Sequence, residues 1–254
     1  MKKIHTIYVS FLLILSLFIV FLNQKNIITF NAQDINVNAS ISPNKTIYLT
    51  FDDGPSENTI KILDILDKYE IPATFFVVGP AYKLKNDLLK EIIKKGHQLA
   101  IHSYTHEYSK IYASKEAFLE DFFSCKNWIY ETTNYEPIIY RFPGGSSNAI
   151  TSKKTILSII DSLDDLGYFH SDWNVDSFDS HYNNDANSII DTTFHYINMN
   201  ETNKIYSQTI LLHDNTKKVG TIKALPQIIE KCLSKGYQFK TLDKKHLIQH
   251  IKKP

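Results

Sequence analysis

Two histidines and two aspartates stand where hydrolytic chemistry could use them. His102 and His106 are four residues apart in His102-Ser103-Tyr104-Thr105-His106, and Asp52 and Asp53 are adjacent in Thr50-Phe51-Asp52-Asp53-Gly54-Pro55-Ser56. Together they offer three ligands for a divalent metal and one spare carboxylate. Two histidines and one carboxylate leave an open position on such an ion for water or substrate. A carboxylate left beside it can accept a proton from that water. Successive side chains of a strand point to opposite faces, so one aspartate suits the metal and the other the water. Asp53-Gly54-Pro55 alone is turn chemistry, which does not account for Asp52 directly after an apolar run.

Arg141 is the only arginine; every other basic side chain is lysine. It lies in Arg141-Phe142-Pro143-Gly144-Gly145. Gripping a carboxylate through two bonds is a task for a planar guanidinium and a poor one for lysine. Arg141 is therefore expected to be functional and bidentate. The two cysteines, Cys125 and Cys232, form no Cys-x-x-Cys pair and are far in sequence from the histidines. They are expected to be free, buried thiols rather than metal ligands.

These residues need a frame, and the chain is long enough to build one. It has 254 residues, 43% hydrophobic and 13% aromatic, with a net charge of +1. That balance, with no basic stripe, gives no case for nucleic-acid binding. Lys2 and Lys3 precede an uncharged apolar run from Ile7 to Leu22. Residues 1–22 are expected to be a signal peptide or an uncleaved membrane anchor that exports the body of the chain. Residues 23–44, rich in Asn, Gln, Ser and Asp, read as a linker, and residues 45–254 as the single folded domain.

From Lys45 onward strand and helix patterns alternate. Strands are expected at Thr46–Phe51, Ala73–Val78, His97–Ile101, Ile138–Tyr140, Tyr168–Asn174, Thr209–Leu212 and Tyr237–Thr241. Helical patterns fall between them, the first capped by Ser56 or Asn58 and others stopped by Gly96, Gly167 and Gly236. Such alternation implies an α/β fold with a mostly parallel sheet or barrel. The distinctive polar motifs all follow predicted strands: Asp52-Asp53, His102/His106, Arg141, Asp176/Asp179 and His213-Asp214. In an α/β barrel the C-terminal strand ends converge on one mouth, so one shared site is expected.

Taken jointly, the motifs resemble the polysaccharide deacetylases with a NodB homology domain, carbohydrate esterase family 4. Thr50–Ser56, His102–His106, Arg141–Gly145 and Leu211–Asp214 are similar to four of the family's motifs, in family order. The resemblance implies a single distorted (β/α) barrel and a metal-dependent hydrolase. It implies that Asp53, His102 and His106 hold a divalent ion, most commonly Zn2+ with Co2+ an alternative. Asp52 is then the general base, oriented by Arg141. His213 is the general acid, its pKa raised by Asp179. Gly144 offers a backbone N–H to the oxyanion, and Leu211 lines the acetyl pocket. The fourth motif departs from the common pattern: Ser180 follows Asp179 where many relatives have tryptophan, and Trp173 is expected to fill part of that wall. One Asp on a divalent ion leaves a net positive centre, which suits a developing oxyanion.

The expected activity is removal of N-acetyl groups from a cell-surface glycan, with peptidoglycan N-acetylglucosamine as leading substrate. Alternatives are N-acetylmuramic acid, chitin oligomers, an exopolysaccharide, or glycan binding without turnover. The expected setting is the outer face of the cell membrane or the cell wall. The expected partners are the glycan, and the membrane if the N-terminal segment is uncleaved, for a chain acting as a monomer.

Overall fold

A computed structural model describes residues 44–80 and 84–251. The expected export segment lies outside the described residues, as does the expected linker apart from Asn44. Among the described residues no helix is long and apolar enough to cross a membrane.

The first strand, β1 (Thr46–Asp52), is buried along its whole length. Its β-branched and aromatic run suits a strand covered on both faces. It is followed by α1 (Glu57–Tyr69), β2 (Thr74–Val78), α2 (Leu84–Lys94), β3 (Gln98–Ser103), the short α3 (Tyr108–Ile111), α4 (Lys115–Thr133), β4 (Ile139–Tyr140) and α5 (Lys153–Asp164). Then come β5 (Phe169–His170), β6 (Val175–Asp176), the short α6 (Asp179–Tyr182), α7 (Ala186–Thr202), β7 (Ser207–His213), α8 (Val219–Ser234) and β8 (Gln238–Phe239). Of the two expected caps for α1, Ser56 takes the role: its side chain accepts from Asn58 N, and its own N–H donates to Thr59 Oγ1.

Seven strands form one path in the order β5-β4-β3-β2-β1-β7-β6, with β8 paired to β1. Every pairing is parallel. β8 meets β1 at Thr46 and Ile47, and β2 takes over that edge from Thr50 onward. The result is the expected distorted (β/α) barrel, with all strand C-termini at one end.

The pleat sorts side chains into two layers. Ile47, Leu49, Phe51, Phe75, Leu99, Ile101, Ile210 and Leu212 belong to the larger core, shared with apolar helix residues such as Ile62, Leu66, Phe122, Ile159, Ile197 and Ile228. The alternate positions face the barrel interior, where Tyr48, Phe76, Ala100, Ile139 and Leu242 form a second cluster. Thr50 and Asp52 share the face of Tyr48, and His102 shares that of Ala100. The period of two therefore aims these polar groups inward.

Of residues Tyr168–Asn174, expected as one strand, only Phe169–His170 is strand. β5 ends at His170 and β6 begins at Val175. Between them the carbonyls of Ser171 and Asp172 turn to accept from Arg141. The Asp172 carboxylate accepts from Ser146 N and Oγ. Ladder pairing is lost because these groups serve Arg141 and the loop after it. The C-terminal segment lies against this break: Asp172 N donates to Ile248 O at 2.6 Å, and His250 N to Asp172 Oδ2 at 2.8 Å. Cys125 and Cys232 are free and buried, as expected. Burial pushes the Cys232 thiol up to about 12, which keeps it unreactive.

Candidate active site

Sheet register brings the sequence motifs together. Asp52 pairs with His213 across β1 and β7, and Ile101 pairs with Tyr140 across β3 and β4. His102 and Arg141 thus follow directly from neighbouring positions. A cavity of about 250 Å³ opens here, lined by Asp52, Asp53, His102, His106, Tyr108, Gly144, Trp173, Asp176, Ser180, Leu211 and His213. Arg141 and Asp179 lie behind this wall. All ten residues expected from the sequence therefore meet in or beside one cavity.

Asp53, His102 and His106 each offer a ligand atom within 4.8 Å of the others'. Asp53 leaves the strand with φ 75° and His106 has φ 56°. In these left-handed conformations, which Asp and His tolerate better than most residues, both side chains lie close to His102. Asp53 Oδ1 lies 3.2 Å from His106 Nε2 and 3.5 Å from His102 Nε2. His102 Nδ1 sits 2.9 Å from the Arg141 carbonyl oxygen, which can only accept, so Nδ1 carries the proton. Its Nε2 lone pair then faces the cluster, the arrangement seen for metal-ligating histidines. Burial would raise the Asp53 pKa, but the two imidazoles outweigh it and hold that carboxyl far below the usual range. For His102 burial would lower the pKa, and the Asp52 and Asp53 charges outweigh it to raise it. Two imidazoles converging on an ionised carboxylate are a donor set that fits a divalent cation.

Asp52 is buried and held by Arg141. The expected two-bond grip is not what forms. Nη1 donates to Asp52 Oδ1 and to Thr50 Oγ1, each at 2.8 Å. Nε and Nη2 donate to the carbonyls of Ser171 and Asp172, each at 2.9 Å. One bond reaches the carboxylate because main-chain carbonyls take the rest of the fork. Arg141 is fully buried, with its guanidinium carbon 4.0 Å from the centre of the Phe76 ring. Asp52 Oδ2 is left pointing toward His102 Nε2, 3.9 Å away.

Opposite stands His213. Its Nδ1 lies 2.7 Å from Asp179 Oδ1. Asp179 Oδ2 accepts from His213 N at 2.8 Å and Thr221 Oγ1 at 2.7 Å. With Nδ1 occupied, Nε2 is the nitrogen available to the cavity. Burial would lower the His213 pKa, but Asp179 outweighs it and raises it to about 9. Gly144 has φ 78°, a conformation suited to glycine. A Cβ on the next residue, Gly145, would meet Trp173 Cη2 at 2.9 Å. Trp173 thus packs on this loop and lines the cavity together with Ser180.

Several contributors were given no role of their own from the sequence. Thr50 was legible: it lies two residues before Asp52, on the same strand face. Asp121, on α4, carried no local signal. Its carboxylate accepts from Ser103 Oγ, Tyr104 N, Thr105 N and Thr105 Oγ1, binding up the loop between the two histidines. Asn215 donates from Nδ2 to Asp53 Oδ2 at 3.0 Å. Asp214 is buried, and burial raises its carboxyl to about 7; it accepts from Thr59 Oγ1 behind the Asp53 turn. Tyr108 joins the cavity beside His106, with ring centres 5.3 Å apart.

Fold and site define a class: a parallel (β/α) barrel with a candidate metal triad, a buried carboxylate beside it and an Asp179-held histidine across from it. Residues 39–158 match the family model for polysaccharide deacetylase. The chain is 32% identical to YheN of Bacillus subtilis over 199 residues, 78% of this chain and 67% of that one. It is 31% identical over 197 residues to a peptidoglycan-N-acetylglucosamine deacetylase of Bacillus cereus, covering 77% and 68%. The catalytic domain of peptidoglycan N-acetylglucosamine deacetylase from Eubacterium rectale superposes with a TM-score of 0.73 at 33% identity, covering 84% of this chain and 95% of that one. The chain belongs to the polysaccharide deacetylase family.

Proposed function

We propose that this protein is a metal-dependent N-deacetylase of a cell-surface glycan, acting on N-acetylglucosamine of peptidoglycan. The observation that supports the reading is the pair of titratable side chains facing one cavity, the Arg141-held Asp52 and the Asp179-held His213. The named activities of the Bacillus cereus and Eubacterium rectale relatives support the choice of substrate. Asp53, His102 and His106 would hold the ion, zinc or alternatively cobalt. Such an ion supplies Lewis acidity, lowering the pKa of water and polarising a carbonyl.

The chain's own groups supply the remainder. Asp52 Oδ2 accepts the proton of the attacking water, and Arg141 keeps that oxygen aimed. The Gly144 N–H donates to the developing oxyanion. Protonated His213 donates to the departing amine. Leu211 faces the acetyl methyl, and Trp173 offers a ring for the sugar to stack on. We place the body of the chain, residues 45–254, outside the cell as a monomer in reach of the wall, exported by residues 1–22 as a signal peptide or anchor.

Asp52→Asn tests the assignment of roles. Acetate release from N-acetylglucosamine oligomers should fall by roughly 10²–10⁴-fold, the usual contribution of a general base, with zinc content unchanged. Loss of the metal in that variant would instead make Asp52 a ligand.

A further inference from the structure

Asp53 has two carboxylate oxygens, and the structure treats them differently. Oδ1 faces both imidazoles, at 3.2 and 3.5 Å. Oδ2 accepts from Asn215 Nδ2 at 3.0 Å. We propose that Asn215 is a positioning residue for the metal site, restricting Asp53 to bind a divalent cation through Oδ1 alone. The inference rests on the metal-site reading above and adds a residue outside the ligand set to it.

The orientation of Asn215 is determined by its surroundings. It sits in the loop after β7, the strand paired with β1. Its Oδ1 accepts from Lys217 N at 3.1 Å, so the amide cannot be turned over without losing that bond. Nδ2 is therefore the atom that faces Asp53. The Asn215 carbonyl accepts from Asn58 Nδ2 at 2.7 Å, and Asp214 N donates to Asp52 O at 3.1 Å. These bonds tie the loop to the start of α1 and to the end of β1. Asp53 itself has left the strand in a left-handed conformation. Its carboxylate has no strand neighbour to fix its rotation, and Asn215 provides that restraint. A carboxylate free to rotate can offer both oxygens to one ion and occupy a position that water or substrate needs. Hydrogen bonds to ligating groups set their orientation, and losing one typically costs 10–100-fold in metal affinity.

The test uses the full chain, stripped of metal and titrated with Zn2+ against a competing chelator, and with Co2+ followed by visible absorption. Asn215→Ala should weaken zinc binding roughly 10–100-fold and change the cobalt spectrum, since the ligand geometry around the ion changes. Asn215→Ser, tolerant of the turn and too short to reach Oδ2, should do the same and serves if the alanine variant misfolds. A zinc affinity within twofold of wild type with an unchanged cobalt spectrum overturns the inference. Wild-type protein that binds no more tightly than Asp53→Ala overturns the metal-site reading itself, a result distinct from the first.

Discussion

Asp52 and Asp53 are chain neighbours with different surroundings, and the difference is one of backbone. Asp52 ends β1 with its side chain on the inner face, where Arg141 reaches it. Asp53 turns away with positive φ toward the histidines. The alternation of strand side chains made different surroundings for the two legible from sequence; which aspartate meets the histidines depends on that turn. The pairing of the lone arginine with Asp52 was expected and forms, but its other partners were not legible. Ser171 and Asp172 are distant in sequence, and their carbonyls are available only because the strand breaks there. Arg141→Lys should therefore lower turnover at least 10²-fold, since orienting a general base is worth that order. A lysine offers its donors from one point and cannot span Thr50, Asp52 and two carbonyls. Near-normal kcat would contradict this. For His213 the sign follows from Asp179: the pKa rises from 6.5 to about 9. The stabilisation from this pair is full below about 6.5 and is lost as pH rises through about 9. NMR titration of the metal-free protein should find His213 near 9, and Asp179→Asn should move it back toward the ordinary value. An unshifted titration in that variant would remove Asp179 from its role.

At the scale of elements, one rule carried most of the prediction: polar motifs after successive strands converge when the strands are parallel. It held for β1, β3, β4 and β7, and the register places Asp52 beside His213. The strand expectation failed for residues 171–174, whose β-like composition hid a segment that pairs with Arg141 and the C-terminus instead. The short helices α3 and α6 were also invisible, being too brief to show a period. Support for the histidine loop comes from α4, through a single carboxylate with four bonds. Asp121→Ala should cost on the order of 2–3 kcal/mol, since one part-buried bond to a charged acceptor is worth about 1.5–3 kcal/mol and the other three are exposed and add little. It should also weaken metal binding, because His106 loses the loop that holds its left-handed backbone. Chemical denaturation and zinc titration of the variant check the two effects; unchanged values in both would show the loop to be self-supporting.

For the molecule as a whole, the barrel supplies rigidity and the strand ends supply chemistry, so an ion that binds only the folded state should stabilise it. At a hundred times Kd the gain is about 2.7 kcal/mol, a rise of roughly 5–10 °C in Tm for a domain of this size. Asp53→Ala should abolish the rise; an equal rise in that variant would place the ion elsewhere. Family and fold were legible because four matching motifs in order leave little freedom. The glycan was less so, since cavity walls such as Trp173, Ser180 and Tyr108 lie outside the four matching motifs. The most direct test of the central claim is to incubate the metal-loaded full chain with purified peptidoglycan and with N-acetylglucosamine oligomers, and to measure acetate and free amine together. Equimolar acetate and amine, abolished by chelator and restored by zinc, are the predicted result. Acetate without amine would mean ester rather than amide cleavage, and neither product from folded, metal-loaded protein would contradict the account.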